Sequence, residues 1–407
     1  MTMVISNCFA KRGASHLWQC SRAPHRRIPA ILPAHRTYVT VFGYTQAKAL
    51  VYSAYGQPKD VLSLHRYSVS PAYGRTLNVK LLASPINPAD INQIEGVYPS
   101  KPPFTQLLGT STPSAVAGNE GLCEVISVGQ EVLNFKPGDR AIFLAPGFGT
   151  WRTHAVVLDE QSLRGVPSDI PILSAATVSV NPCTGYRLLT DFWGEGGLQQ
   201  AAINGEWVIQ NGANSGVGRA VIQMAKIWNL KTINVVRGNR SPTELSNLRN
   251  DLRDLGANEV ITDEELSSEE IKGKIAYLTG GRGVGLGLNC VGGRATTDMA
   301  RTLRHSGTMV TYGAMARQPI TIPASLFIFK NLSLRGFWIS KWAGEKVEER
   351  GKMLDEIFEW IRKGWLKDAP MEEVKWTEES KEEELVEAVS KAGQGTGAKK
   401  IFVFQEN

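Results

Sequence analysis

The fold is decided by residues 205–240, GEWVIQNGANSGVGRAVIQMAKIWNLKTINVVRGNR. This stretch holds an apolar strand-like run, a turn with glycines, an amphipathic helix pattern and a second apolar run, an order typical of a βαβ unit. Gly212, Gly216 and Gly218 follow the spacing G-x-x-x-G-x-G. Glycines in such a turn let the backbone approach a pyrophosphate, and the next helix points its N-terminal amide groups at the anion. The stretch therefore predicts a dinucleotide-binding turn; a turn without a ligand is the alternative.

The end of the second apolar run indicates which dinucleotide binds. Arg237 follows TINVV directly, Arg240 comes three residues later, and no Asp or Glu occurs between Glu206 and Glu244. NAD sites usually place an acid here for the ribose 2′-hydroxyl, whereas NADP sites use Arg for the 2′-phosphate. The pattern favours NADPH as the cofactor, and solvated surface arginines are the alternative.

Two strand patterns divide the rest of the chain. Short alternating runs such as LNVKLLAS, bounded by turn residues, predict antiparallel strands before about residue 160. Strand-like runs separated by helical patterns predict parallel strands after about residue 182. The closing run KKIFVF lets the tail return to the first unit. We therefore expect an α/β fold, with a doubly wound parallel sheet at 182–342 inserted in a β-rich unit formed by 41–181 and 343–407.

The net charge of +6 comes from the N-terminal segment. Residues 1–40 contain no acid and six basic residues, which are Lys11, Arg12, Arg22, Arg26, Arg27 and Arg36. Without these six residues the rest of the chain has a formal charge of zero, so the net charge gives no support for a nucleic-acid partner. An acid-free, Arg-bearing leader is typical of a mitochondrial presequence, and a disordered basic tail is the alternative. We expect a protein of the mitochondrial matrix.

Cysteine usage and hydropathy exclude further classes. Five cysteines occur without a C-x-x-C pair, so we expect no disulfide framework and no structural zinc site. No apolar run reaches the roughly 18 residues of a membrane span, so we expect a soluble protein. No metalloprotease or serine hydrolase motif occurs either.

A turn-rich segment at residues 83–104, ASPINPADINQIEGVYPSKPPF, holds a candidate reactive side chain, Tyr98. A phenol with a pKa of about 10 stays protonated at neutral pH and can donate to a developing oxyanion. A packed aromatic without a chemical role is the alternative.

Several longer motifs resemble the medium-chain dehydrogenase/reductase superfamily and, within it, the mitochondrial trans-2-enoyl-thioester reductases. They are GVYPSKP, GNEG, NPCTGYRLL, NGANSGVG, TYGAMA, LRGFWIS and AKKIF. The resemblance covers nearly everything after the leader and implies a GroES-like catalytic domain interrupted by a Rossmann domain. Zinc enzymes of the superfamily have His where this chain has Asn119, and an amide is a poor zinc ligand, so we expect metal-free chemistry.

The resemblance also implies roles for individual residues. It makes Tyr98 the catalytic acid or oxyanion donor and places Asn181 at the nicotinamide end. The remaining cofactor contacts fall into four groups: Asn214, Ser215, Gly216, Val217 and Gly218 for the pyrophosphate; Arg237, Asn239 and Arg240 for the adenosine phosphate; Tyr312, Gly313, Ala314, Met315, Phe337, Trp338 and Ile339 along the cleft; and Lys399, rather than Lys400, near the cofactor. Relatives commonly have an acid where this chain has Gly238.

The implied reaction is NADPH-dependent reduction of trans-2-enoyl thioesters of CoA or acyl carrier protein, in mitochondrial fatty acid synthesis, by a homodimer. Two other functions stay open. One is a quinone or alkenal reductase of the same superfamily. The other is a non-catalytic NADPH-binding regulatory protein that has kept the fold.

Overall fold

The computed structural model describes residues 43–393 and 398–405, and the predicted presequence at 1–40 lies outside them. The strands of the described part are β1 (Thr45–Tyr52), β2 (Ser63–Val69), β3 (Leu77–Pro85), β4 (Ala115–Val116), β5 (Leu122–Val128), β6 (Arg140–Phe143), β7 (His154–Val157), β8 (Leu163–Val166), β9 (Trp207–Asn211), β10 (Lys231–Val236), β11 (Glu259–Thr262), β12 (Val284–Asn289), β13 (Leu303–Thr311), β14 (Ser333–Gly336), β15 (Met371–Trp376) and β16 (Lys399–Phe404).

The helices are α1 (Pro58–Val61), α2 (Pro88–Ile94), α3 (Ile172–Thr177), α4 (Asn181–Thr190), α5 (Gly197–Ile203), α6 (Gly216–Ile227), α7 (Pro242–Leu255), α8 (Asp263–Leu266), α9 (Glu269–Leu278), α10 (Gly293–Thr302), α11 (Ala324–Lys330), α12 (Ile339–Glu345), α13 (Val347–Arg362) and α14 (Glu382–Gly393). Among the described residues, no helix is both long and apolar enough to cross a membrane.

Six parallel strands form one sheet in the order β11-β10-β9-β12-β13-β14. Every residue of β9 and β12 is buried, because the sheet is covered on both faces. Val208 of β9 packs with Val221 of α6, whereas Ile209 packs with Met299 of α10 in a separate cluster. Neighbouring residues of a strand point to opposite faces, so these clusters are the two halves of a doubly wound core.

A second sheet has the order β15-β16-β3-β5-β6-β8, and β7 also pairs with β3. The last strand, β16, is antiparallel to β3, with Ile401 opposite Pro85. Phe402 is fully buried between the indole rings of Trp151 and Trp376, with ring centroids 5.5 and 5.2 Å away. The C-terminal strands are therefore part of the β-rich sheet. Together the parallel sheet and the β-rich sheet confirm the predicted α/β fold class.

Candidate active site

The backbone of α2 holds the loop that carries Tyr98. The helix begins with a capping box between Asn87 and Asp90. Gly96, two residues after the last helical residue, has a φ of 78°, which suits a residue without a side chain. The N–H groups of Val97 and Tyr98 both donate to the carbonyl of Asn92, at 3.0 and 3.1 Å. The tyrosine is therefore attached to the end of a well-capped helix.

The hydroxyl of Tyr98 contacts Trp338, which follows β14, the last strand of the parallel sheet. The indole Nε1–H of Trp338 donates to the Tyr98 oxygen at 2.8 Å, and the two rings pack edge to face at a centroid distance of 5.8 Å. Burial raises the pKa of Tyr98, and the hydrogen bond from Trp338 and the nearby Ser340 hydroxyl work against that rise. Because the indole occupies an acceptor position of the phenol oxygen, the phenolic proton stays available for a substrate.

The polar residues below this loop form a buried network. The amide Nδ2 of Asn119 donates to Asp90 Oδ1 and to Gln93 Oε1, each at 2.6 Å, and its Oδ1 accepts from the Gly147 N–H at 2.7 Å. Both polar atoms of the Asn119 side chain are therefore hydrogen-bonded, at the position where the zinc enzymes of the superfamily have a histidine ligand. Among residues 43–393 and 398–405, no three His, Cys, Asp or Glu side chains cluster as metal ligands would.

A second carboxylate, Glu120, connects the network to α4. Its side chain is 2% exposed and accepts from Asn87 Nδ2 at 2.9 Å and from the Val180 N–H at 2.8 Å. Lys399 Nζ donates to the Oδ1 of the same Asn87 at 2.6 Å. Burial raises the pKa of Glu120, and the nearby Lys399 ammonium works against that rise. The ammonium of Lys400 instead forms an ion pair with Glu372.

The glycine turn before α6 offers free backbone donors. Ser215 caps the helix by accepting from the Gly218 N–H at 3.1 Å. The N–H groups of Gly216 and Val217 have no hydrogen-bond partner within the described part of the chain. A side chain at Gly218 would place its Cβ 2.6 Å from the carbonyl oxygen of Ala213. The turn therefore fits a bound pyrophosphate, since a helix N-terminus with unused N–H groups is an anion site.

Three of the predicted cofactor residues line one pocket. Asn181, Gly216 and Lys399 all border it. The Asn181 amide lies directly against the α-carbon of Gly216, where a Cβ would be 2.6 Å from its Nδ2.

Asn214 does not point into this pocket's lining, because its Oδ1 accepts from Arg219 at 2.9 Å, and Arg219 is held by Asp251 at 2.7 Å.

The strand-end arginines lie at the tip of β10. Arg237 is exposed, and Arg240 donates to the Arg237 carbonyl at 2.5 Å, which curls the loop back on itself. Asn239 is exposed. The loop is fastened by Asp263, which accepts from the Gly238 N–H at 2.8 Å.

The segment after β13 packs on the turn that follows β12. Tyr312 and Met315 donate their N–H groups to Asn289 and Cys290 at 3.0 and 2.9 Å. Gly313 lies close to Cys290, whereas Ala314 and Met315 are exposed. The buried Tyr312 hydroxyl lies beside Cys290 and Ser215 but makes no well-formed hydrogen bond with any described residue. This segment therefore borders the glycine turn.

Phe337 and Ile339 flank Trp338 with apolar contacts. The Phe337 ring packs edge to face on Phe192 at 5.8 Å, and Ile339 packs against the core below α6. A second contact joins the same regions, since Arg317 forms an ion pair with Glu95 at 2.7 Å. Loops that follow strands of the parallel sheet therefore contact both Tyr98 and the end of α2.

Sequence reasoning missed the network that supports the site. Asn87, Asp90 and Glu120 were not proposed as functional residues, although all three are at most 2% exposed. One signal was available, because a carboxylate between apolar runs, as in GNEG, is costly to bury and needs partners.

Comparisons with known proteins identify similar chains. The family model described as zinc-binding dehydrogenase matches residues 216–359, and the one described as alcohol dehydrogenase GroES-like domain matches residues 74–168. The chain is 46% identical over 366 residues to a mitochondrial enoyl-acyl-carrier-protein reductase of Schizosaccharomyces pombe, covering 88% of this chain and 94% of that protein. It is 42% identical over 363 residues to the human protein of the same name, covering 86% and 91%.

Solved structures are similar as well. The Etr1p complex with NADP and crotonyl-CoA superposes with a TM-score of 0.81 at 37% identity, covering 88% of this chain and 100% of that one. The Etr1p/Etr2p heterodimer of Candida tropicalis, a mitochondrial 2-enoyl thioester reductase, gives a TM-score of 0.80 at 38% identity with the same coverage.

The buried network predicts a pH dependence of stability. Burial raises the pKa of Asp90 to about 6, against about 3.9 in an unfolded chain. Below pH 4 the group is protonated in both states, and above pH 6 it is ionised in both. Because the folded protein holds the proton more tightly, ionisation lowers stability as the pH rises between these values, by about 3 kcal/mol.

Asp90→Asn removes this titration. We therefore expect the free energy of unfolding of D90N, relative to wild type, to shift by about 2 to 3 kcal/mol in favour of the variant between pH 4 and pH 7. Any loss of hydrogen bonds is a constant offset in this difference. Urea unfolding over the pH series measures it, with the exposed Asp254→Asn as control, and a difference independent of pH would contradict the assignment.

Proposed function

The chain belongs to the mitochondrial enoyl thioester reductases of the medium-chain dehydrogenase/reductase family, and from this premise we propose that Tyr98 is the catalytic hydrogen-bond donor of the reaction. The protein is an NADPH-dependent reductase that converts trans-2-enoyl thioesters to acyl thioesters. One observation carries the proposal for Tyr98: the phenol oxygen accepts from Trp338, so its own proton points to another acceptor. The oxygen of a bound thioester is the acceptor that the reaction supplies.

The chemistry requires a donor at that oxygen. NADPH, when bound, supplies the hydride that adds to C3 of the enoyl group. The C2–C3 double bond then shifts its electron pair toward the thioester, whose oxygen gains the negative charge of an enolate. Tyr98 stabilises this charge by donating a hydrogen bond to that oxygen, and a proton taken up from solvent then adds to C2, which completes the reduction. Its raised pKa keeps the phenol protonated before the reaction begins.

The cofactor would be held by residues from both sheets. The free N–H groups of Gly216 and Val217 suit the pyrophosphate, with Ser215, Gly218 and Asn214 shaping the turn. Asn181 and Lys399, at the shared pocket, suit the nicotinamide end. The residues that would bind the adenosine phosphate are Arg237, Asn239 and Arg240, and residues 312–315 and 337–339 would border the cleft.

The location of the protein is mitochondrial, in keeping with its relatives and its basic, acid-free leader. The same relatives are named for an acyl-carrier-protein substrate, whereas Etr1p is seen with crotonyl-CoA. We therefore expect enoyl thioesters of either carrier as substrates. A marked preference for a quinone over crotonyl-CoA, in parallel NADPH oxidation assays, would favour the alternative reductase function.

The edge of the parallel sheet supports a homodimer. Strand β14 lies at the end of the sheet, all four of its residues are exposed, and no described strand pairs with its outer side. Nearby α11 exposes Ile328 and Phe329 at 71% and 76%. An open edge beside apolar side chains suits an antiparallel copy of itself, which is a two-fold symmetric contact. The Etr1p/Etr2p assembly is a precedent for pairing of two related chains.

Tyr98→Phe tests the catalytic role. The variant keeps the ring and loses the donor, so we expect turnover of crotonyl-CoA to fall about 100- to 1,000-fold while NADPH binding is unchanged. Tyr55→Phe, a nearby phenol whose ring packs on Phe104, is the matched control and should keep its turnover. Turnover of Y98F close to that of wild type would rule out this role.

Arg237→Ala tests the adenosine phosphate site. Loss of a charged hydrogen bond of about 1.5 to 3 kcal/mol should weaken NADPH binding about 10- to 100-fold and leave NADH binding nearly unchanged. Calorimetric titration of both dinucleotides measures this, with the exposed Arg253→Ala on α7 as control. Equal weakening of both dinucleotides would contradict the assignment.

The double change Ile328→Lys and Phe329→Lys tests the dimer. Lysines on this exposed apolar face should repel their symmetry copies, so we expect the mass measured by light scattering to fall from two chains to one. The control Tyr277→Lys changes an exposed aromatic on α9 and should keep the dimer. A monomeric wild-type protein would contradict the homodimer, whereas a dimeric double variant would show that the contact lies elsewhere.

A further inference from the structure

The tip of β10 lies beside two acids that are distant in sequence. Strands β10 and β11 are parallel neighbours, with Val236 opposite Thr262. The residues that follow each strand therefore lie side by side at the same edge of the sheet. Asp263 and Glu264, at the start of α8, thus reach the loop that begins at Arg237.

Both acids contact Gly238, in different ways. Asp263 Oδ1 accepts from the Gly238 N–H at 2.8 Å and so positions the loop. Glu264 covers the α-carbon, and a Cβ built on Gly238 would lie 2.5 Å from Glu264 Oε2. The carboxylate of Glu264 therefore occupies the space that a side chain at position 238 would fill.

The charge of Glu264 is not compensated within the described part of the chain. No described Lys, Arg or His nitrogen lies within 4 Å of its carboxylate, and no described donor bonds to it. By contrast the next residue, Glu265, accepts from Arg249 at 2.7 Å. An unpaired negative charge thus lies against Gly238, the residue that follows Arg237.

We propose that Glu264 is a specificity-determining residue for the dinucleotide, which lowers the affinity for NADPH relative to NADH and so limits the preference that Arg237 and Arg240 create. The proposal rests on the adenosine phosphate site proposed above. A 2′-phosphate bound at this loop brings further negative charge toward the carboxylate, whereas a 2′-hydroxyl does not. The repulsion between exposed charges a few ångströms apart is modest and is screened by salt.

Glu264→Gln removes the charge and keeps the size of the side chain. We expect the full-length variant to bind NADPH about three- to tenfold more tightly than wild type at low ionic strength, with NADH binding unchanged. The gain should shrink as salt rises to about 0.5 M. Glu264→Lys should increase the affinity for NADPH further. The control Glu270→Gln changes an equivalent exposed acid in the first turn of α9, away from Gly238, and should leave both affinities as in wild type.

Titration of the four proteins and of Arg237→Ala with NADPH and NADH separates the possible results. NADPH binding in E264Q that equals or is weaker than that of wild type would overturn the proposal, as would an equal gain in E270Q. If wild type shows no preference for NADPH, or if Arg237→Ala weakens both dinucleotides equally, the proposed phosphate site itself is wrong. If these two proteins behave as expected and E264Q and E264K do not, only the role of Glu264 is lost.

Discussion

The arrangement of the active site depends on one buried carboxylate, Glu120. Transfer of an ionised carboxyl group out of water is expensive unless hydrogen bonds replace the lost hydration. Here Asn87 and the Val180 N–H supply those bonds, and Lys399 supplies a nearby positive charge. Asn87 begins the helix that leads to Tyr98, and Val180 precedes Asn181. The same carboxylate therefore links the helix that leads to Tyr98 with the start of α4, where Asn181 lies.

Tyr98 and Trp338, which contact each other in the candidate site, come from loops of different sheets. Tyr98 belongs to the β-rich part, whereas Trp338 follows the last strand of the parallel sheet, and their hydrogen bond spans the region between. The ion pair of Arg317 with Glu95 crosses there too. Such a division is common, because ligand pockets occur preferentially where two parts of a fold meet.

Features formed by residues that are close together in the chain could be predicted from the sequence, whereas contacts between distant residues could not. The βαβ unit at 205–240 could be predicted because its turn, helix and strands are consecutive, and Ser215 and Gly218 act within one helical turn. Tyr98 differs, because its residues alone left a packed aromatic as the alternative to a reactive phenol, and the resemblance then made it the candidate catalytic donor. Its contact with Trp338 spans 240 positions and has no local signal. The support of α2 by Glu120 was missed because its partners Asn87 and Val180 are 33 and 60 positions away, so the buried carboxylate alone did not indicate them.

The sequence by itself determined the fold class, the glycine turn after β9, the two arginines at the strand end and, through its motifs, the family. These features depend on periodicity and on glycines at fixed spacing, which neighbouring residues specify. Only the tertiary structure decided which charges surround the arginines. The sequence shows no acid close to Arg237, yet parallel pairing of β10 with β11 brings Asp263 and Glu264 to Gly238. Electrostatic interactions act through space, so the surroundings of a charge depend on how strands pair and not on their order in the chain.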